Sequence, residues 1–113
     1  MVSLELAVSG DRGCRTIAAT AREVVGAICD AEELGPMTTG KPAVVAPTRH
    51  DPVYDITQAL HDANGKLIGA AGMNLDPDVG RSRDAALNHA RRLLRELEQQ
   101  IPSKAKLMEP VSR

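Results

Sequence analysis

Tryptophan and phenylalanine are absent from this 113-residue sequence, and Tyr54 is its sole tyrosine. A chain so poor in aromatic rings must build its core from Leu, Ile, Val, Met and Ala. It also lacks the faces on which single-stranded nucleic acid stacks its bases, and the rings that form a cage around a quaternary ammonium group. A formal net charge of −1 gives no global field to draw in nucleic acid or an acidic membrane surface. No run of about 18 apolar residues occurs, so no segment reads as a membrane-spanning helix. The N-terminal MVSLELAVSGDRG has Glu5 inside its short apolar run and no basic start, and does not read as a secretory signal.

Cysteine is scarce too. Cys14 and Cys29 are too few for the usual zinc site, and His50, His61 and His89 show no ligand spacing, so neither metal nor cofactor is expected. The two cysteines are either bonded to each other, in an oxidising compartment, or two semi-buried thiols.

What is present is ordinary globular composition, 42% hydrophobic and 26% charged, at a length suited to one domain spanning 1–113. Residues 2–8, VSLELAV, alternate as a short strand. SGDRG is a turn by composition, and residues 14–20, CRTIAAT, read as a second strand. Residues 21–34 hold either one short helix broken at Gly26 or two turns. Asp30 is a candidate N-cap for a helix ending at Leu34, where Gly35-Pro36 would stop it. KPAVVAPT, 41–48, is a third strand whose flanking prolines place it near an edge.

GPMTTGKP, 35–42, imitates a nucleotide-binding P-loop up to Pro42, which stands where that loop has Ser or Thr. A P-loop needs a strand before it and a helix after it. Here the preceding residues read as helix and the following ones as strand, so the match reads as a turn.

The clearest local signal is VYDITQALHDANGKLIGAAGMNLD. Two alternating runs flank Asn64-Gly65, the pair favoured in a two-residue type I′ hairpin. That turn pairs Tyr54 with Leu75, Ile56 with Met73, Gln58 with Ala71 and Leu60 with Gly69 on a large apolar face. The other face pairs Asp55 with Asn74, Thr57 with Gly72, Ala59 with Ala70 and His61 with Ile68, and is small and partly polar. Residues 82–101 form a helix capped by Ser82, with Leu87, Ala90, Leu94, Leu97 and Ile101 on one stripe and Pro102 as its stop. Such a stripe covers a sheet, with a short dimeric coiled coil as the lesser reading. The tail 102–113 reads as extended.

Taken together, TIAAT, VVGAICDAEEL, TTGKP and the YDITQALHDANGKLIGAAGMNLD hairpin resemble the Cache family, the extracytoplasmic PAS-like sensor domains. The resemblance covers about residues 14–76 and is most specific in the hairpin. It implies an α+β fold: a five-stranded antiparallel PAS-like sheet with short helices between strands 2 and 3. A small molecule would bind on one face, between the sheet and the segment after the second strand. Two features depart from the family. Its long N-terminal helix has no counterpart, and Ala59 stands where the hairpin commonly has Pro. The C-terminal helix 82–101 would substitute on the outer face, over Tyr54, Ile56, Leu60, Leu67, Met73 and Leu75. The strand positions that carry basic residues in citrate-type members are Asp55 and Thr57 here, and the signature of amino-acid-binding members is not found.

The candidate ligand-binding residues are therefore Asp55, Thr57, Gly72 and Asn74, with Arg49, alongside His50, on the loop that would close over them. Asp55 opposite Asn74 is either an anchor for an amine or hydroxyl, or a cross-strand polar pair at a solvated sheet end. The acidic Asp30, Glu32 and Glu33 fit the charge preference of a helix N-terminus. No catalytic residues are assigned. The expectation is a non-catalytic sensory domain that binds a small molecule of unknown class and reports to a partner or oligomer. The alternative is a homodimeric interaction module that uses the small Ala/Gly face or the terminal helix. A cysteine enzyme built on Cys14 or Cys29 is the weakest reading.

Overall fold

The computed structural model describes residues 3–10, 13–20, 25–77 and 82–108. The fold is α+β. Strands β1 (Ser3–Gly10), β2 (Gly13–Ala19), β3 (Ala43–Val45), β4 (Tyr54–His61) and β5 (Leu67–Leu75) form one antiparallel sheet in the order β2-β1-β5-β4-β3. Helix α1 (Ala31–Thr39) lies between β2 and β3, and α2 (Arg83–Glu98) and the short α3 (Lys104–Leu107) follow β5. Among these residues no helix is long and apolar enough to cross a membrane.

The hairpin pairs as its alternation dictates from Tyr54↔Leu75 to Leu60↔Gly69. Its turn is different from the expected two-residue type. Gly65 N–H donates to the Asp62 carbonyl at 3.0 Å, Asp62 N–H donates to the Lys66 carbonyl at 2.9 Å, and Gly65 has φ +84° while Asn64 has no positive φ. This is a type I turn over Asp-Ala-Asn-Gly closed by a left-handed glycine. The Asp62 carboxylate stabilises it by accepting from Asn64 N–H at 2.9 Å and Lys66 N–H at 3.0 Å. The turn shifts the register by one, so His61 pairs with Leu67 and a bulge restores the pairing at Leu60. The bulge sends Ile68, expected beside His61 on the small face, into the main core, and leaves Leu67 exposed rather than under the helix.

The large face, with Ile56, Leu60, Met73 and Leu75 all at 2% exposure or less, is covered by Ala86, Leu87, Ala90 and Leu94 of α2. α2 is capped by Ser82, whose Oγ accepts from Ala85 N–H at 3.1 Å. It ends at Glu98 rather than at 101: Ile101 turns into the core, and its carbonyl accepts from Ala63 N–H at 2.7 Å. Gln58 is buried on this apolar face, and its Nε2 has no hydrogen-bond partner among the described residues. The tail is not wholly extended, because α3 forms and Lys104 Nζ donates to the Ser9 carbonyl at 3.0 Å.

Helix α1 starts where the acidic cluster predicts. Asp30 Oδ1 accepts from Glu32 and Glu33 N–H, and Glu33 Oε1 accepts from Asp30 N–H, which makes a reciprocal capping box. It does not stop at Leu34. Gly35 has no Cβ to clash with the following proline ring. The Thr38 and Thr39 hydroxyls also bond back to the Leu34 and Gly35 carbonyls. The helix therefore continues through Pro36 to a left-handed Gly40 at φ +74°. GPMTTGKP is thus the C-terminal end of a helix and a turn into edge strand β3, the wrong helix end for phosphate. Residues 21–24 lie outside the described ones. Residues 25–29 form a turn and a bridge between Arg15 and Ile28 rather than a helix.

Candidate functional site

The small face is set by the phase of three strands. Ser3, Glu5 and Ala7 of β1 pair with Asn74, Gly72 and Ala70 of β5, which pair in turn with Asp55, Thr57 and Ala59 of β4. Of these nine positions, Gly72, Ala7, Ala70 and Ala59 carry a methyl group or less, and they leave room above the sheet for α1. Met37 of α1 packs against Ala7 and against Cys14 and Cys29, which form a disulfide with a Cα–Cα distance of 5.4 Å. Ala7 and Ala70 are buried within the chain, so this part of the face is not a free docking surface for a second copy.

Beside that contact, between the sheet and the first turn of α1, a cavity of about 240 Å³ opens. Asp55, Thr57, Gly72 and Asn74 all line it. Arg49 does not. It is exposed on the loop before β4, and His50 next to it is exposed as well. That loop instead brings Asp51, outside the cavity lining, against the Asp55 carboxyl, with its N–H donating to Thr48 Oγ1 at 3.0 Å. The cavity also gains Ser3 and Glu5 from β1 and Glu32 from α1, three residues that inspection of the hairpin misses. Glu5 was legible in principle, because it shares the phase of Ser3 and Ala7 in VSLELAV. Glu32 and Asp51 were not, since nothing local says which face α1 covers.

The site is acidic. Burial raises the Asp55 carboxyl to about 6, helped by a hydrogen bond with the Asp51 carboxyl and by the charges of Asp51 and Glu32. Burial likewise raises Glu33. Its hydrogen bond with the Asp30 backbone opposes the rise, and the charges of Glu5, Asp30 and Glu32 add to it. Glu5 Oε1 accepts from the Thr16 hydroxyl at 2.9 Å, which fixes that carboxylate on the sheet. The described residues contain no group of His, Cys, Asp and Glu able to hold a metal ion.

A larger open groove of about 630 Å³ runs beside edge strand β2, lined by Ile17, Val25 and Met108 among others. Its two cations are already engaged: Arg15 Nη1 donates to the Gly26 carbonyl at 3.1 Å and Lys104 Nζ to the Ser9 carbonyl. It presents mainly apolar wall, and the smaller cavity with its convergent polar side chains is the stronger candidate. Comparison of the chain with protein-family models, curated proteins and solved structures finds no match in any of the three.

Proposed function

We propose that the chain is a non-catalytic sensory domain of the Cache type that binds a small molecule between its sheet and α1. The observation that carries this reading is the convergence of Asp55, Thr57, Gly72 and Asn74 on one cavity. That cavity lies on the face, and beside the segment after the second strand, where the resemblance puts a ligand. The bonded cysteines favour an oxidising, extracytoplasmic setting, and they offer no free thiol for the cysteine-enzyme reading. Occupancy would be reported through β4 and β5. Their opposite faces carry the cavity and α2, so a shift of these strands on binding reaches the helix. The partner or oligomer would then read α2.

Thermal melts against amines, amino acids, carboxylates, nucleotides and sugars test the proposal. A ligand at 100 times its dissociation constant stabilises the fold by about 2.7 kcal/mol, a shift of several degrees in a domain of this size. Asp55→Ala should remove that shift and leave a folded domain. If the whole panel is flat and the folded protein runs as a dimer, the interaction-module reading replaces this one.

A further inference from the structure

We infer that the cavity between the sheet and α1 takes a small organic cation with a primary ammonium group, held by the carboxylates of Asp55, Glu32 and Glu5 and by the Thr57 hydroxyl and Asn74 amide. The inference rests on the sensory reading for the location of the site and adds the chemical class of its ligand.

Charge is the first argument. Three carboxylates line the cavity and no Lys, Arg or His does. The ion pair among the described residues joins His61 to Glu98 and lies elsewhere, so none of the three has a cationic partner among the described residues. Like charges gathered around one cavity repel, and no cation of the described residues offsets them there. Burial is the main cause of the raised Asp55 carboxyl, and the charges of Asp51 and Glu32 add to it. A bound cation relieves the repulsion.

Thr57 is the second, independent argument. It is 6% exposed, and its hydroxyl makes no hydrogen bond to any described residue. That hydroxyl lies over Gly72, 3.9 Å from where a Cβ there would stand, and faces the cavity. The side chain is buried while its oxygen opens onto the cavity, and a hydroxyl left there without a protein partner is a ready contact for a ligand N–H.

Which cation follows from what surrounds it. A divalent metal needs its ligands to converge, and the described residues contain no such group. A trimethylammonium head needs aromatic faces. Tyr54, the single tyrosine, is not in the lining. A primary ammonium has three N–H donors, which suit acceptors spread over β1, β4, β5 and α1. The volume, about 240 Å³, is below the roughly 300 Å³ where drug-sized sites begin, so the molecule is small.

The test is calorimetric titration of the folded, disulfide-bonded chain with ethanolamine and with 1,4-diaminobutane at constant ionic strength. Choline, 1,4-butanediol, succinate and calcium chloride serve as comparisons. Saturable one-site binding of at least one primary amine is expected, with choline weaker by about tenfold or more. Asp55→Asn and Thr57→Val should each weaken the amine, the first by roughly 10- to 100-fold. Gly72→Ala guards against unfolding. Its new methyl meets only ordinary contacts at 3.8 to 4.0 Å but occupies the cavity floor, so the variant should melt no lower than wild type and bind no amine. Equal affinity for choline, or binding of calcium in place of the amines, overturns the inference. Binding of succinate alone overturns it while the sensory reading survives. No binding by any amine here, together with a flat panel across all classes, sinks both.

Discussion

Gly69 and Gly72 lie on the same strand and answer substitution in opposite ways. A Cβ at Gly69 would stand 1.9 Å from the Ala7 carbonyl oxygen, a backbone atom that cannot give way without breaking the β1–β5 pairing. Gly69→Ala should therefore lower stability by about 3 kcal/mol or more, measured by urea unfolding. Gly72 has no such neighbour. Asp55 makes the pH prediction at this scale. Its carboxyl titrates near 6 in the folded chain against an ordinary 3.8, with Asp51, Glu32 and Glu5 facing it. Between those values the folded state holds more proton than the unfolded one, so stability falls as pH rises through that window. Asp55→Asn should flatten the slope in unfolding experiments between about pH 4 and pH 7 and make the domain more stable at the upper end. An unchanged slope would mean that Asp55 is not the group responsible.

At the scale of elements, local sequence was informative wherever a backbone rule decided the outcome. The alternation of the hairpin gave the register from Tyr54 to Leu60, and the three- and four-residue stripe gave α2. Ser82 and Asp30 cap the helices they were expected to cap. The turn was misread because Asn64-Gly65 is a strong pair signal, while Asp62, first residue of a type I turn ending in glycine, is a quieter one. Asn64 instead spends its side chain on the Pro102 carbonyl at 3.3 Å. The capping box has consequences beyond the helix, because it sets the turn from which Glu32 enters the cavity. Asp30→Ala should cost about 1 kcal/mol, read from the melting temperature. It should also weaken any ligand that Glu32 contacts. A loss of stability with binding intact would separate Glu32 from the site.

For the whole molecule, the Cys14–Cys29 bond ties the β2 edge to the segment that leads into α1. Closing a loop of this length is worth about 3 kcal/mol through the unfolded chain, a large share of the stability of a domain this small. Reduction, or Cys14→Ser with Cys29→Ser, should lower the urea midpoint accordingly while the α2-covered core keeps its helical signal. No change on reduction would mean that the bond carries no stability.

By itself the sequence determined the aliphatic core, the hairpin with its two unlike faces, and the helix stripe that covers the larger face. Each of these follows from periodicity and side-chain size within a short window. Only the tertiary structure decided that α1 lies over the small face, that Glu5 and Glu32 join Asp55 there with Asp51 beside it, and that Arg49 lies outside the cavity. Those positions come from separate segments, brought together by the strand order β2-β1-β5-β4-β3. No local pattern records which distant strand a given strand will pair with, and the charge of the site is the sum of choices made in four places.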